Sequence, residues 1–195
     1  LAMAYRVPVR VLSSFGDMND ARRGTLICAE EEIVEKRIVS GVAFSRDEAR
    51  ITLLGLPDRT DTPAEVFTRL SGAGVNVDMI IQSQARTEGT VNMTFTTGRR
   101  DAARAAGVMR AGQGELGFQE IVIDEDVAKV SVVGVGMRSH AGVAQTMFRA
   151  LADRGVKIQA ISTSEIKISV LIDAAYTELA VRALHAAYGL EQVDP

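Results

Sequence analysis

The segment Ala49-Arg50-Ile51-Thr52-Leu53-Leu54-Gly55-Leu56 returns 79 residues later as Ala128-Lys129-Val130-Ser131-Val132-Val133-Gly134-Val135, apolar for apolar and glycine for glycine. Beyond an insertion of two residues the echo resumes: Phe67, Leu70, Gly74, Val75, Val77, Ile80 and Ser83 align with Phe148, Leu151, Gly155, Val156, Ile158, Ile161 and Ser164. A chain written this way folds as two copies of one small unit. Its 195 residues, 47% of them hydrophobic, suffice to bury a core in each copy.

Periodicity gives the unit its content. In the first copy Ile51 and Leu53 alternate with Thr52 as in a half-buried strand, and Val66, Phe67 and Leu70 follow at helical spacing in Pro63–Leu70. Ser71-Gly72-Ala73-Gly74 stops that helix. Val75–Met79 and Val91–Thr96 alternate strictly and predict a hairpin. An alanine-rich helix over Asp101–Met109 and a strand over Phe118–Ile123 complete βαββαβ, an α+β unit. The second copy predicts a strand Lys129–Val135, a helix Gly142–Asp153, strands Lys157–Ile161 and Ile166–Ile172, and a helix Tyr176–Tyr188. Only 189–195 remain, too polar for a fourth strand. Ile38–Phe44, separated from the first copy by a turn at Arg46-Asp47-Glu48, is the unassigned strand of suitable length. The second unit is therefore expected to be completed by the strand that precedes the first: 45–124 form one domain, and 38–44 plus 125–195 the other. Two beads in series remain the alternative. Upstream, Val9–Leu12 and Thr25–Ile27 read as short extended pieces and Ala29–Arg37 as a linker.

Composition excludes several functions. The apolar runs are strand-length, far below the roughly 18 residues of a membrane span, and no basic segment leads into an apolar one as in a signal peptide. No membrane association is expected. Cys28 is the only cysteine, which suits a reducing cytoplasm, and the only histidines, His140 and His185, sit in different contexts, so no metal site is expected. A net charge of −3, with Arg22-Arg23 and Arg99-Arg100 the only basic pairs, argues against nucleic acid. Leu54, Val133 and Leu171 lie out of phase with the inward-facing residues and are expected at an interface between chains, which points to a homodimer.

The words of the sequence resemble one family. Val39-Ser40-Gly41-Val42-Ala43-Phe44, Val75-Asn76-Val77-Asp78-Met79-Ile80, Thr94-Phe95-Thr96, Val127-Ala128-Lys129-Val130-Ser131, Gly136-Met137-Arg138-Ser139-His140, Arg182-Ala183-Leu184-His185 and above all Ile161-Ser162-Thr163-Ser164-Glu165-Ile166-Lys167-Ile168-Ser169-Val170 are similar to the regulatory region of aspartate kinase. That region is a pair of ferredoxin-like βαββαβ ACT domains, made in some bacteria as a separate small beta subunit. Val7–Phe15 is similar to the end of the kinase domain, so 1–37 is expected to be the end of that domain and a linker. The resemblance implies an allosteric part that binds lysine, threonine or both and acts on a catalytic domain or alpha subunit. ATP and Mg would belong to that catalytic part, where ATP phosphorylates aspartate. No GxxxxGK[ST] loop is present here, and Ser139 stands where a dinucleotide fingerprint after Gly134-Val135-Gly136 would need glycine. This chain itself is expected to carry no catalytic residues and no cofactor.

An amino-acid sensor needs amide donors for a carboxylate, an acid for an ammonium, and a shape. A strand-to-helix turn supplies the donors. With the resemblance, this marks Asp58, Asp61, Thr62, Pro63, Ala64, Asn76, Val77, Asp78 and Gln82 in the first repeat, and Ser139, His140, Ala144, Lys157, Ile158, Ser164 and Glu165 in the second. Asp58, Asp78 and Glu165 are the acids suited to an ammonium. Departures weigh against the first repeat: Arg59-Thr60-Asp61-Thr62-Pro63-Ala64 replaces a common Lys-Pro-Gly-x-Ala. Thr62-Pro63-Ala64-Glu65 reads as a capping box that would consume the donors, and Asp61 adds a repelling charge. Effector binding in the first repeat is thus expected to be weakened or retuned. The same departures keep open a second reading, an assembly scaffold that senses nothing.

Overall fold

The computed structural model describes residues 7–12, 24–27, 38–134 and 142–191; the linker read at 29–37 lies outside them. The chain divides into two compact units, Leu1–Arg37 and Ile38–Pro195. In the first, β1 (Val9–Val11) and β2 (Thr25–Ile27) form an antiparallel pair.

The second unit runs β3 (Gly41–Pro57), α1 (Thr62–Gly72), β4 (Ile80–Gln84), β5 (Thr90–Thr97), α2 (Arg99–Ala111), α3 (Gln113–Leu116), β6 (Glu120–Val133), α4 (Gly142–Ala152), β7 (Ile158–Thr163), β8 (Lys167–Asp173), a 3-10 turn Ala174–Tyr176 and α5 (Thr177–Ala187). Its strands form one antiparallel sheet in the order β4-β5-β3-β6-β8-β7. Two of them are long enough to serve both repeats. β3 pairs through Arg50–Leu54 with the Glu120–Asp124 end of β6, and through Gly41–Ser45 with its Lys129–Val133 end. Each repeat thereby acquires four strands, and the strand preceding the first repeat completes the second.

The turn read at Arg46–Glu48 is absent. These residues continue β3 through an irregularity, with register shifts between Ser45 and Glu48 and between Glu48 and Arg50; Arg46 and Asp47 are exposed while Glu48 is buried. The strands read separately as Phe118–Ile123 and Lys129–Val135 are joined in one strand, β6, over Glu120–Val133; Val135 lies outside the described residues. The hairpin strand read at Val75–Met79 begins only at Ile80; before it the chain follows β5 irregularly, with the Asp78 amide on the Thr96 carbonyl and the Thr96 amide on the Met79 carbonyl, both at 3.0 Å, while Thr96 Oγ1 accepts from the Met79 amide at 3.1 Å and Thr97 Oγ1 donates to the Asn76 carbonyl at 2.7 Å.

Alternation and helical spacing fill two cores. Ile51, Leu53, Phe95, Leu70 and Met109 are buried in the first, and Val130, Val132, Val170, Met147 and Leu151 in the second. The repeat extends to the turns. Gly74 and Gly155 adopt φ of 66° and 68°, a left-handed conformation that glycine takes without a Cβ penalty. The next residue in each repeat, Val75 or Val156, returns its amide to Leu70 or Leu151 at 3.0 Å. Tyr188, just past α5, donates its hydroxyl to the Val143 carbonyl of α4 at 2.7 Å, and burial pushes its phenol up to about 12.

A third cluster joins the repeats. Met79 packs with Val127, Ala160 and Leu171. Leu171, expected between chains, is instead fully buried within its own chain, because the segment entering β4 covers it. Leu54 and Val133 are half-buried. Among the described residues no helix is long and apolar enough to cross a membrane.

Candidate functional site

The first strand-to-helix turn is built around Arg59. The Asp58 amide bonds the Gly89 carbonyl at 2.9 Å, so Asp58, exposed, shapes the turn. Arg59 reaches Asp61 at 3.1 Å and Glu65 at 2.7 Å. The expected capping box does not form. The helix starts one residue early, with Asp61 at the cap position and no side chain bonding the first-turn amides. Thr62, buried inside the first turn, donates its hydroxyl to Pro57 at 2.8 Å instead. Both reasons for a blocked turn weaken: the donors are not consumed by Thr62, and the negative charge of Asp61 has a partner in Arg59.

An open groove of about 460 Å³ starts at this turn and follows α1 past Asp61, Ala64, Glu65, Thr68 and Arg69 to Glu115. A second, of about 420 Å³, follows α4 past Gly142, Gln145, Thr146, Arg149 and Ala150. These five residues lie 81 positions after the first five. One groove has been duplicated with the repeat and lined differently: Glu65 became Thr146 and Thr68 became Arg149. Pro63 and Ala144 are half-buried at the starts of their helices, and Ala144 packs on the second core.

The other implicated residues precede or lie on β4 and β7, the outermost strands of the sheet, or follow β7. Asn76 and Gln82 are exposed; Val77 packs on the first core and Ile158 on the second. Lys157 is exposed, as are Ser164 and Glu165. Ser164 closes the β7–β8 hairpin, its amide donating to Lys167 O at 2.8 Å and its Oγ accepting from Lys167 N at 3.2 Å. Ser139 and His140 lie outside the described residues.

Asp78 is already engaged. Lys129 on β6 hydrogen-bonds its carboxylate and stands 2.6 Å from Glu48 Oε1. Its hydrogen bond with Lys129 outweighs desolvation and holds the Asp78 carboxyl below its ordinary value. Burial opposes the charged form of Lys129, but the hydrogen bonds to Asp78 and Glu48 prevail and raise its pKa. Sequence reasoning missed Glu48, Lys129 and Gln159. The register of the repeat marks two of them: Lys129 is the counterpart of Arg50, and Gln159 that of Asp78. Arg50 instead pairs with Asp124 at 2.9 Å, and Gln159 Oε1 is buried without a hydrogen-bond partner among the described residues. Among the described residues no three His, Cys, Asp or Glu side chains gather as for a metal.

The ACT domain family matches residues 130–188. An aspartate kinase of Stutzerimonas stutzeri (strain A1501) is 50% identical over 188 residues, 96% of this chain. The chain spans 44% of that relative's length. Among solved structures, the aspartokinase alpha and beta subunits contain a chain 45% identical, with 99% of it and 77% of this chain covered at a TM-score of 0.73. The regulatory subunit of aspartate kinase from Thermus thermophilus in its ligand-free form is 41% identical, with 99% of it and 78% of this chain covered, at 0.74. The fold built on the two repeats is thus shared with such subunits over 99% of their length, and this chain belongs to the aspartate kinase family as its ACT-domain regulatory region.

Proposed function

We propose that this chain is the amino-acid-sensing part of an aspartate kinase, binding lysine, threonine or both for feedback inhibition of a catalytic part that transfers phosphate from ATP to aspartate. One observation carries the reading: a groove present twice, each copy running along the helix that follows its repeat's first strand, the first opening at a turn where no side chain caps the amides. A carboxylate docked there gains the helix dipole. Binding is expected to differ between copies, since Arg149 faces the second groove where Thr68 faces the first. In the same proposal, 45–124 and 38–44 plus 125–195 are the two domains, 1–37 is the end of the catalytic domain with its linker, and the whole is cytoplasmic.

Assembly accompanies sensing. The edge strands β4 and β7 present Ile80 and Ile161, repeat counterparts that are 54% and 45% exposed. Unpaired edges with apolar residues favour a second copy, and a homodimer through them would bring two chains' turns together. A scaffold that only assembles is the competing reading. Melting curves with threonine and with lysine separate the two, because a ligand bound only by the folded state stabilises it by about 2.7 kcal/mol at 100 times Kd. A raised Tm with either amino acid supports the sensor, and unchanged curves with both leave the scaffold.

A further inference from the structure

The first turn of α4 is held by a residue from outside that helix. Tyr188, just past α5, donates its hydroxyl to the Val143 carbonyl at 2.7 Å, and the Met147 amide donates to the same phenol oxygen. Val143 and Met147 are the two ends of one four-residue helical step, so the hydroxyl sits at the bond that closes the first turn. We propose that Tyr188 is a positioning residue for ligand binding in the second groove: its hydroxyl keeps the first turn of α4, part of the groove wall, in the geometry that takes an amino acid. The inference rests on the sensor reading above.

Three observations carry it. Tyr188 is a fixed point, since it packs on the second core, its amide returns to Leu184 at 3.1 Å, and Leu190 bonds back to His185 at 3.0 Å. The groove borders the contact: Gly142 and Thr146, on either side of Val143, and Ala187, next to Tyr188, line its volume of about 420 Å³. The first repeat pins the same position by its own means. Thr62, the counterpart of Val143 81 residues earlier, donates its hydroxyl to the Pro57 carbonyl at 2.8 Å. Valine has no hydroxyl to give, and Tyr188 supplies one from α5. A groove whose first turn is released is competent for only part of the time, and its apparent affinity falls by that fraction.

The test is calorimetric titration with threonine and with lysine of the wild type, Tyr188→Phe and Ala183→Gly, each verified as folded by its melting curve. Ala183→Gly is the control, because it weakens α5 and leaves the hydroxyl in place. A merely structural role of Tyr188 would leave the affinity of the folded protein the same in both variants. The proposal expects Tyr188→Phe to bind at least one of the amino acids fivefold or more weaker than Ala183→Gly does. A difference below fivefold for both amino acids overturns the role of Tyr188 and leaves the sensor reading in place. Absence of binding in the wild type overturns the sensor reading and this inference with it.

Discussion

Glu48 and Val127 are Cα partners across β3 and β6 and also the same position of the two repeats, 79 residues apart. The pseudo-twofold that relates the repeats therefore passes between a carboxylate 5% exposed and a fully buried valine. Lys129 exists to answer that charge. Removing one member of a buried pair strands the other, at a cost of about 3–5 kcal/mol. Lys129→Met is expected to lose stability on that scale, and Glu48→Gln/Lys129→Met to recover most of it. Urea denaturation of the wild type and the two variants measures both.

The same contact fixes a pH window. Asp78 is held below its ordinary 3.8 by Lys129, so its contribution to stability is complete above that value and is lost as pH falls through the lower, folded one. Lys129 is raised above 10.5 by its two carboxylates; its contribution is complete below 10.5 and is lost as pH rises through the higher, folded value. The difference in stability between the wild type and the double variant is expected to be flat between these limits and to shrink outside them, followed by denaturation across pH.

Gly134 tolerates no side chain. A Cβ there would lie 2.0 Å from the Ile38 carbonyl oxygen, whereas at Gly41 nothing stands within 4 Å. Gly134→Ala is expected to cost more than about 2 kcal/mol, lowering Tm by roughly 5 °C or more in a unit of this size. Gly41→Ala is expected to change stability by less than about 1 kcal/mol. Thermal melts of the pair isolate the clash.

Tyr188 ties α5 to the start of α4. Tyr188→Phe forfeits the hydrogen bond to Val143 and is expected to cost about 1 kcal/mol. The fold favours the neutral phenol, so this contribution is complete below the ordinary value of 10.0 and declines as pH rises towards about 12. Ultraviolet titration of tyrosinate in the wild type and Tyr188→Phe identifies the late-ionising group.

Leu70 and Leu151 occupy one position in two cores, both at most 1% exposed. Each leucine-to-alanine change is expected to cost about 2–5 kcal/mol through the cavity it leaves. Because β3 and β6 run through both repeats, either variant is expected to melt in one transition, which calorimetry checks.

The repeat and its two cores were legible because they are written in local periodicity, and the borrowed fourth strand because Ile38–Phe44 has the pattern of a strand that neither repeat otherwise uses. The continuity of β3 was not, since Arg46-Asp47-Glu48 has the composition of a turn, while the partners of Glu48 in the structure, Val127 across the ladder and the Lys129 ammonium, lie far along the chain. Thr62 misled for a similar reason: the pattern Thr-x-x-Glu fits a cap, but Asp61 enters the helix ahead of it and Arg59 draws Glu65 away. At Asp78 the alternation marked a polar position on the solvated face of a strand. It gave no sign that the partner lies 51 residues on, across the repeat boundary.

Two unbroken strands spanning both repeats behave mechanically as a pair of girders. A lobe suspended on them is joined to the other through continuous backbone, with the register shifts between Ser45 and Arg50 at the crossing, so a twist imposed at one end would be delivered as torque at the other. Information leaving this protein would then travel as a change in the pitch of its central ribbon rather than as the opening of a joint.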